Sequence, residues 1–407
     1  MPCCGCSPLA RTCRPRELHC GSSTFGPPQK RPCGQERRRR STEPRQGVSN
    51  VRPVVTASRT ITWQPFELSG RPAPGMVRLT SVRSLISPGT ELALYEGREM
   101  VDGLNAGFSP AATSLVMDPL DDDISTKAEL FPVALGYNLV GRVTAVGDGV
   151  DPGRIGTLAF AVARHQAEVE VADWEAVTLP ESVDPAIAAL YYLPTLGLSA
   201  LRRVGYRSGE RVAVIGLGLV GLCAALVAQS LGAEPVCFDT SEARRDFTAQ
   251  LIDKDLIHDP RTARPLQFIG GGAGADVVVE AAGTRESLAF AAALAGVRAR
   301  LVVLGLHSED LGALFARNFY RKMLNVVFCG NDDYAPSKAG TLTSLDNVLE
   351  IARLERSGRL PLNAIITAEA GAHRIEEAFA MIANERPTGA VVLDWESPDQ
   401  PLTARME

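Results

Sequence analysis

The stretch "RVAVIGLGLVGLCAALVAQSLG", Arg211 to Gly232, decides the fold. Its opening "RVAVIG" is a short β-rich run, and "LVGLCAALVAQSLG" is an apolar helix ending at Gly232, a natural left-handed cap. As one unbroken segment, Val212 to Ala228 approaches the ~18–20 apolar residues that a membrane span needs. The spaced glycines near its start argue instead for a strand, a turn and a helix. Gly216, Gly218 and Gly221 stand in G-x-G-x-x-G order. The first permits the tight turn, the second lets a pyrophosphate approach the backbone, and the third allows close helix packing. The helix start, with Leu219 and Val220, then offers free N–H groups and a partial positive charge to the phosphates. Asp239 ends the next strand, where a carboxylate accepts hydrogen bonds from ribose hydroxyls. Its charge repels a 2′-phosphate and favours NAD as cofactor, whereas Arg244 and Arg245 just beyond it leave NADP open.

Outward from this segment the alternation continues. "EPVCFD", "LIHD", "DVVVEAAG", "ARLVVLGL" and "NVVFCGND" read as strands, with "SEARRDFTAQLI" and "RESLAFAAALA" as helices between them. Six short hydrophobic strands alternating with helices predict an α/β, doubly wound parallel sheet buried on both faces. The second glycine cluster, "GGGAG", precedes a strand, so no helix terminus follows to hold phosphate and it reads as a turn.

Before Pro180 the texture differs: "MVRLTSVR", "LVGRVTAVG" and "AEVEVADW" are short alternating strands punctuated by Gly and Pro, which predict a mostly β domain. After Asn331 the helical "LTSLDNVLEIARLERSG" and "AHRIEEAFAMIANE" and the strands "AIITAEA" and "GAVVLDW" do not extend the parallel sheet and are assigned back to the β domain. The expected division is therefore a leader (1–50), a discontinuous β domain (51–192 and 335–397), a dinucleotide-binding domain (193–334) and a tail (398–407). With 407 residues and 45% hydrophobic content the chain can bury two ordinary cores. The stretch 96–130, with its acidic "DPLDDD", exceeds the ~12–15 residues of an ordinary structureless loop and is either a lid or a mobile insertion.

The net charge of -5 hides an asymmetry: residues 1–50 carry ten Lys/Arg against three acids. The remainder is strongly acidic, which argues against nucleic acid as its partner. Six of nine cysteines (Cys3, Cys4, Cys6, Cys13, Cys20, Cys33) lie in that basic leader, where no second C-x-x-C pairs with the one at Cys3 and Cys6. It lacks the apolar periodicity of a packed element and reads as disordered or non-native. The rest keeps only Cys223, Cys237 and Cys329, the free-thiol usage of a cytoplasmic protein.

The order of "SPGTE", "LGYNLVGRVTAVG", "LPTLGLSALRRVGYRSGERVAVIGLGLVG", "GADVVVEAAG" and "ARLVVLGL" resembles the medium-chain dehydrogenase/reductase superfamily, over nearly all of Val54 to Trp395. "SPGTE" and "LGY" look closest to the zinc-independent branch that includes bacteriochlorophyllide a dehydrogenase. The resemblance implies a GroES-like catalytic domain, a Rossmann domain, a nicotinamide in the cleft between them, and a homodimer. It adds Thr195, Thr240, Ala282, Gly283, Gly305 and Leu306 to the expected cofactor-binding residues.

Zinc-using relatives hold their metal with a cysteine in "I-C-G-T-D", a histidine and glutamate in "L-G-H-E", and a later cysteine or acid. This chain has Ser87 and Pro88 at the first place, Tyr137 and Asn138 at the second, and "YYLP", Tyr191 to Pro194, near the third. A phenol, an amide and a hydroxyl are poor zinc ligands, so no zinc is expected. Something else must then polarise a carbonyl. The resemblance places Thr90, matching the threonine of "G-T-D", and Tyr137 for this role, with Glu91 orienting them. A phenol of pKa about 10 donates a proton more readily than it removes one. A ring that merely fills the old metal cavity is the alternative for Tyr137, and a turn hydroxyl that for Thr90. His165 reads as structural and His307 as a loop histidine near the nicotinamide. The expected function is a zinc-independent, NAD-dependent interconversion of a secondary alcohol and a ketone, possible in secondary metabolism. A C=C reductase of the quinone or enoyl type and a non-catalytic nucleotide-binding subunit remain alternatives.

Overall fold

The computed structural model describes residues 50–68, 70–98, 131–263, 270–307, 319–329, 344–385 and 388–404. Almost all of the expected leader, most of the 96–130 stretch and the last three residues lie outside them.

The first half holds β1 (Val51–Ala57), β2 (Thr60–Pro65), β3 (Met76–Ile86), the helix α1 (Thr90–Glu96), β4 (Val133–Ala134), β5 (Leu139–Val146), β6 (Leu158–Ala161), β7 (Glu168–Ala172) and β8 (Ala176–Thr178). The short α2 (Pro185–Ala188) and the longer α3 (Tyr192–Arg203) lead out of it. Strand β1 lies between β2 and β4 in a small antiparallel sheet, and β3 is the spine of a larger one, flanked by β5 and β7. Alternation along β3 buries Val77 and Leu79 against one cluster while Leu85 and Ile86 enter another.

The second half runs β9 (Val212–Ile215), α4 (Leu219–Ser230), β10 (Val236–Phe238), α5 (Glu242–Thr248), β11 (Ile257–His258), β12 (Ala275–Glu280), α6 (Arg285–Leu294), β13 (Ala295–Val303), α7 (Tyr320–Lys322) and β14 (Asn325–Phe328). Its six strands pair in the order β11-β10-β9-β12-β13-β14, all parallel. The order reverses between β9 and β12, which opens a crevice at the carboxyl ends of those strands. The apolar run read above is divided there, as β9 followed by α4; among the described residues no helix is long and apolar enough to cross a membrane.

After α8 (Ser344–Arg356), the strand β15 (Ile366–Gly371), the helix α9 (Ile375–Glu385) and the strands β16 (Ala390–Asp394) and β17 (Thr403–Ala404) return to the first sheet. Strand β16 pairs antiparallel with β3, sealed by Arg83 Nη1 at 2.7 Å from Asp394 Oδ1. Helices α3 and α4 meet at Gly197, where a Cβ would lie 2.7 Å from the Ala224 Cα. Only a residue without a side chain allows that approach, and it seats the start of α3 beside the first half's core.

Candidate active site

The glycine turn after β9 meets the steric demands of a phosphate cradle. Gly216 has φ +87, and a Cβ there would lie 2.8 Å from the Ala282 backbone nitrogen. At Gly221 a Cβ would fall 1.7 Å from the Gly216 carbonyl oxygen, so the first turn of α4 rests directly on the loop. Nothing comes within 4 Å of a Cβ placed on Gly218, and no side chain caps the helix there. The N-terminal amides of α4, which begins at Leu219 and Val220, are therefore left to a ligand rather than to the chain.

Asp239 follows β10, and its carboxylate is 6% exposed. Oδ2 accepts the Leu217 N–H and Oδ1 the Ser241 N–H, both at 2.7 Å. It thus ties the glycine loop to the loop after β10, a role that sequence spacing did not reveal. Arg244 Nη1 stands 3.6 Å from Asp239 Oδ2, whereas Arg245 donates to the Asp239 carbonyl and lies 3.5 Å from Asp259. Arg245 is therefore held by backbone and acid, and only Arg244 leans over the ribose side. Thr240 is exposed, with its carbonyl accepting from Arg261. Thr195 is buried in α3 and spends its hydroxyl on the Tyr192 carbonyl at 2.5 Å.

Beyond the crevice, the loops after β12 and β13 form one block around Glu280. This carboxylate is fully buried, and its Oε1 accepts the Ala282 and Gly283 N–H groups and the Ser287 hydroxyl at 2.7–2.9 Å. Its backbone oxygen accepts from Leu304 and Gly305. A Cβ on Gly283 would lie 2.6 Å from the Leu306 carbonyl, and one on Gly305 would lie 2.4 Å from the Gly283 nitrogen. His307 Nε2 lies 2.8 Å from Glu280 Oε2. Neither Glu280 nor this contact was evident from the sequence.

In the β-rich half, Tyr137 is 7% exposed, and its hydroxyl donates to Ser87 Oγ. Thr90, the first residue of α1, also hydrogen-bonds the phenol. Burial above all, with a contribution from the Glu91 carboxylate, pushes the Tyr137 phenol up to about 12. Around neutral pH it is a proton-bearing donor. The Tyr192 ring packs edge-on against it, centroids 5.9 Å apart.

The Glu91 carboxylate engages Ser87 and His165. Fully buried, it accepts the Ser87 N–H on Oε1 at 2.8 Å and meets His165 Nε2 on Oε2 at 2.8 Å. His165 in turn lies 2.9 Å from Ser84 Oγ, which also accepts the Trp395 indole N–H. His165 is fully buried, and its backbone shapes the segment between β4 and β5 that carries Tyr137: a Cβ on Gly136 would lie 2.3 Å from the His165 nitrogen. Asn138 is fully buried, and its side-chain oxygen and nitrogen are without partners among the described residues.

The donor set fits a dinucleotide and does not fit zinc. Ser87, Tyr137 and Asn138 present a hydroxyl, a protonated phenol and an amide, and the nearby Glu91 and His165 are already bound to each other. Among the described residues, no group of three or more His, Cys, Asp or Glu is placed to hold a metal.

Residues 220–338 match the family described as zinc-binding dehydrogenase. L-Galactonate-5-dehydrogenase of Escherichia coli K12 is 33% identical over 190 residues, 46% of this chain and 52% of that protein. The chain thus spans about half the length of that curated relative. A short chain alcohol dehydrogenase from E. coli CFT073, solved with NADH, superposes with TM-score 0.67 at 16% identity over 85% of this chain and 100% of the other. CurK enoyl reductase superposes with TM-score 0.65 at 18% identity over 85% of this chain and 99% of the other. The family match lies largely in the parallel-sheet half, and the two solved structures share this chain's fold: a GroES-like β-rich half joined to a Rossmann half.

Proposed function

We propose that the chain is an oxidoreductase that interconverts a secondary alcohol and a ketone with NAD as cofactor, and that it uses a tyrosine hydroxyl where its zinc-using relatives use a metal. The observation that carries this reading is the Tyr137 phenol: buried, protonated, and hydrogen-bonded to Ser87 and Thr90 at the position of a metal ligand in those relatives. A nicotinamide would supply the hydride exchange itself. Gly216, Gly218, Gly221 and the amides of α4 would hold its phosphates, and Asp239 its adenosine ribose.

In the reducing direction Tyr137 gives its hydrogen bond to the substrate oxygen as negative charge develops there, instead of to Ser87. A donor aimed at developing charge in a water-poor site is worth ~10²–10³ in rate. Ser87 is held by the Glu91 carboxylate through its N–H, so its hydroxyl stays beside the phenol, and the proton that Tyr137 gives to the substrate oxygen is replaced through Thr90. The curated relative's action on L-galactonate supports an alcohol substrate but does not name this chain's own. The likeness to an enoyl reductase keeps C=C reduction as the second reading. The three buried free thiols, Cys223, Cys237 and Cys329, support a cytoplasmic setting.

A homodimer is proposed through β14, which has β13 on one side and no strand on the other among the described residues. Phe328, Tyr320 and Met323 are more than half exposed there, beside a hollow of about 740 Å³. Sedimentation at micromolar concentration showing only monomer would remove that proposal.

The activity is tested with a panel of secondary alcohols, ketones and activated enones, following NADH and NADPH absorbance, alongside elemental analysis of the purified protein. The proposal expects turnover of an alcohol–ketone pair with NADH preferred and no stoichiometric zinc. Turnover of enones alone selects the second reading, and about one zinc per chain, lost together with activity, overturns the metal-free mechanism.

A further inference from the structure

The imidazole of His307 carries a feature that the hydride-transfer reading above does not use. Its side chain is 5% exposed, its Nε2 lies 2.8 Å from Glu280 Oε2, and its Nδ1 is buried with no partner among the described residues. Glu280 Oε1 already accepts two backbone N–H groups and a hydroxyl, and Oε2 faces the imidazole. A carboxylate engaged in this way accepts only, which keeps the imidazole proton on Nε2 and leaves a lone pair on Nδ1. A buried acceptor shut off from bulk water calls for a bound donor.

The position of His307 says which donor. Glu280 is the last residue of β12, paired in register with Ile215 at the end of β9 and with Val303 at the end of β13. His307 hangs over this same edge, on the side of the crevice away from Asp239 and β10. A dinucleotide laid across the crevice with its adenosine ribose at Asp239 brings its nicotinamide to the β12 and β13 side. There the cofactor's only N–H donor is the carboxamide.

We propose that His307, oriented by Glu280, positions the nicotinamide ring by accepting a carboxamide N–H on Nδ1. The inference rests on the nicotinamide-dependent reading of the site. It adds a side-chain contact that discriminates the ring's substituent, with the Glu280 carboxylate held in place by the Ala282 and Gly283 amides.

The test measures dissociation constants by calorimetry for three probes on the full-length protein: NAD, 3-acetylpyridine adenine dinucleotide and ADP-ribose. The acetyl group keeps the carbonyl and replaces the amino group by methyl, so it removes only the donor. Wild type should bind NAD about threefold to tenfold more tightly than the acetyl analogue, the range for one neutral hydrogen bond. His307→Gln keeps an N–H toward Glu280 but has no acceptor at the Nδ1 position, so the two dinucleotides should bind within twofold of each other. His307→Asn places an oxygen near Nδ1 and should retain part of the preference. Affinity for ADP-ribose should not change in either variant. No preference in wild type, or a preference that His307→Gln leaves intact, overturns the assignment. Failure of wild type to bind ADP-ribose at all overturns instead the dinucleotide reading beneath it.

Discussion

Replacing Glu91 with alanine tests whether the cluster behind Tyr137 is a scaffold or an incidental contact. The substitution leaves the Ser87 N–H and His165 Nε2 without their acceptor at a place where Glu91, His165 and Ser87 are all buried. Each orphaned polar group costs about 1–3 kcal/mol. Removing one member of a buried ionic or strongly hydrogen-bonded pair costs about 3–5 kcal/mol. We therefore expect Glu91→Ala to lose about 3–5 kcal/mol. Glu91→Gln retains an acceptor for the Ser87 N–H and lets the imidazole change tautomer, donating to Ser84, so its loss should be about 1–2 kcal/mol. Urea unfolding followed by tryptophan fluorescence reads both values, since Trp395 reports on the same cluster through Ser84. Turnover should fall further than stability explains, because Ser87 is what holds the Tyr137 hydroxyl. A Glu91→Ala protein within 1 kcal/mol of wild type would show that the cluster holds nothing, and the argument from Ser87 to Tyr137 would fail with it.

Asp239→Gly should narrow or reverse the preference for NADH over NADPH and weaken both, since the Leu217 and Ser241 amides lose their acceptor; a wild type that already prefers NADPH shows that Arg244 outweighs the carboxylate. Alkaline pH offers an independent check on Tyr137. Its folded phenol lies above the ordinary value of 10, so the unfolded chain releases that proton first and stability is full below pH 10 and lost as pH rises toward about 12, by roughly 3 kcal/mol at most from this group. Tyr137→Phe should flatten part of that loss in urea melts at pH 9 to 11, and an unchanged slope would place the phenol in a wetter site than the one described. A Gly221→Ala protein should lose nucleotide binding, because its Cβ would fall on the Gly216 carbonyl; unimpaired binding in calorimetry would contradict the close packing of α4 on the loop.

The parallel-sheet half was readable because its requirements are steric and written in single residues. Gly216 combines a positive φ with close backbone at Ala282, and Gly221 has no room for a Cβ of its own beside the Gly216 carbonyl, demands that together select glycine. The short, wholly apolar run "VAVIG" and its successors, each separated by a helix, pointed to a parallel sheet buried on both faces. The substitution of metal ligands was also visible, since Ser87, Tyr137 and Asn138 stand within recognisable strings. What could not be read were contacts that only topology creates. Glu91 and His165 lie 74 positions apart, and Glu280 and His307 lie 27 apart, one ending β12 and the other in the loop after β13. Asp239 was read as a ribose acceptor because spacing points there, while its two backbone partners depend on how the loops after β9 and β10 fold over each other.

The most direct test of the central claim is turnover of Tyr137→Phe on a ketone with NADH, measured beside its melting temperature. The variant keeps the ring that packs against Tyr192 and deletes only the hydroxyl that reaches Ser87 and Thr90. The account predicts turnover reduced by ~10²–10³ with the fold retained. Ketone turnover equal to wild type would contradict it and leave Tyr137 as a ring that fills space.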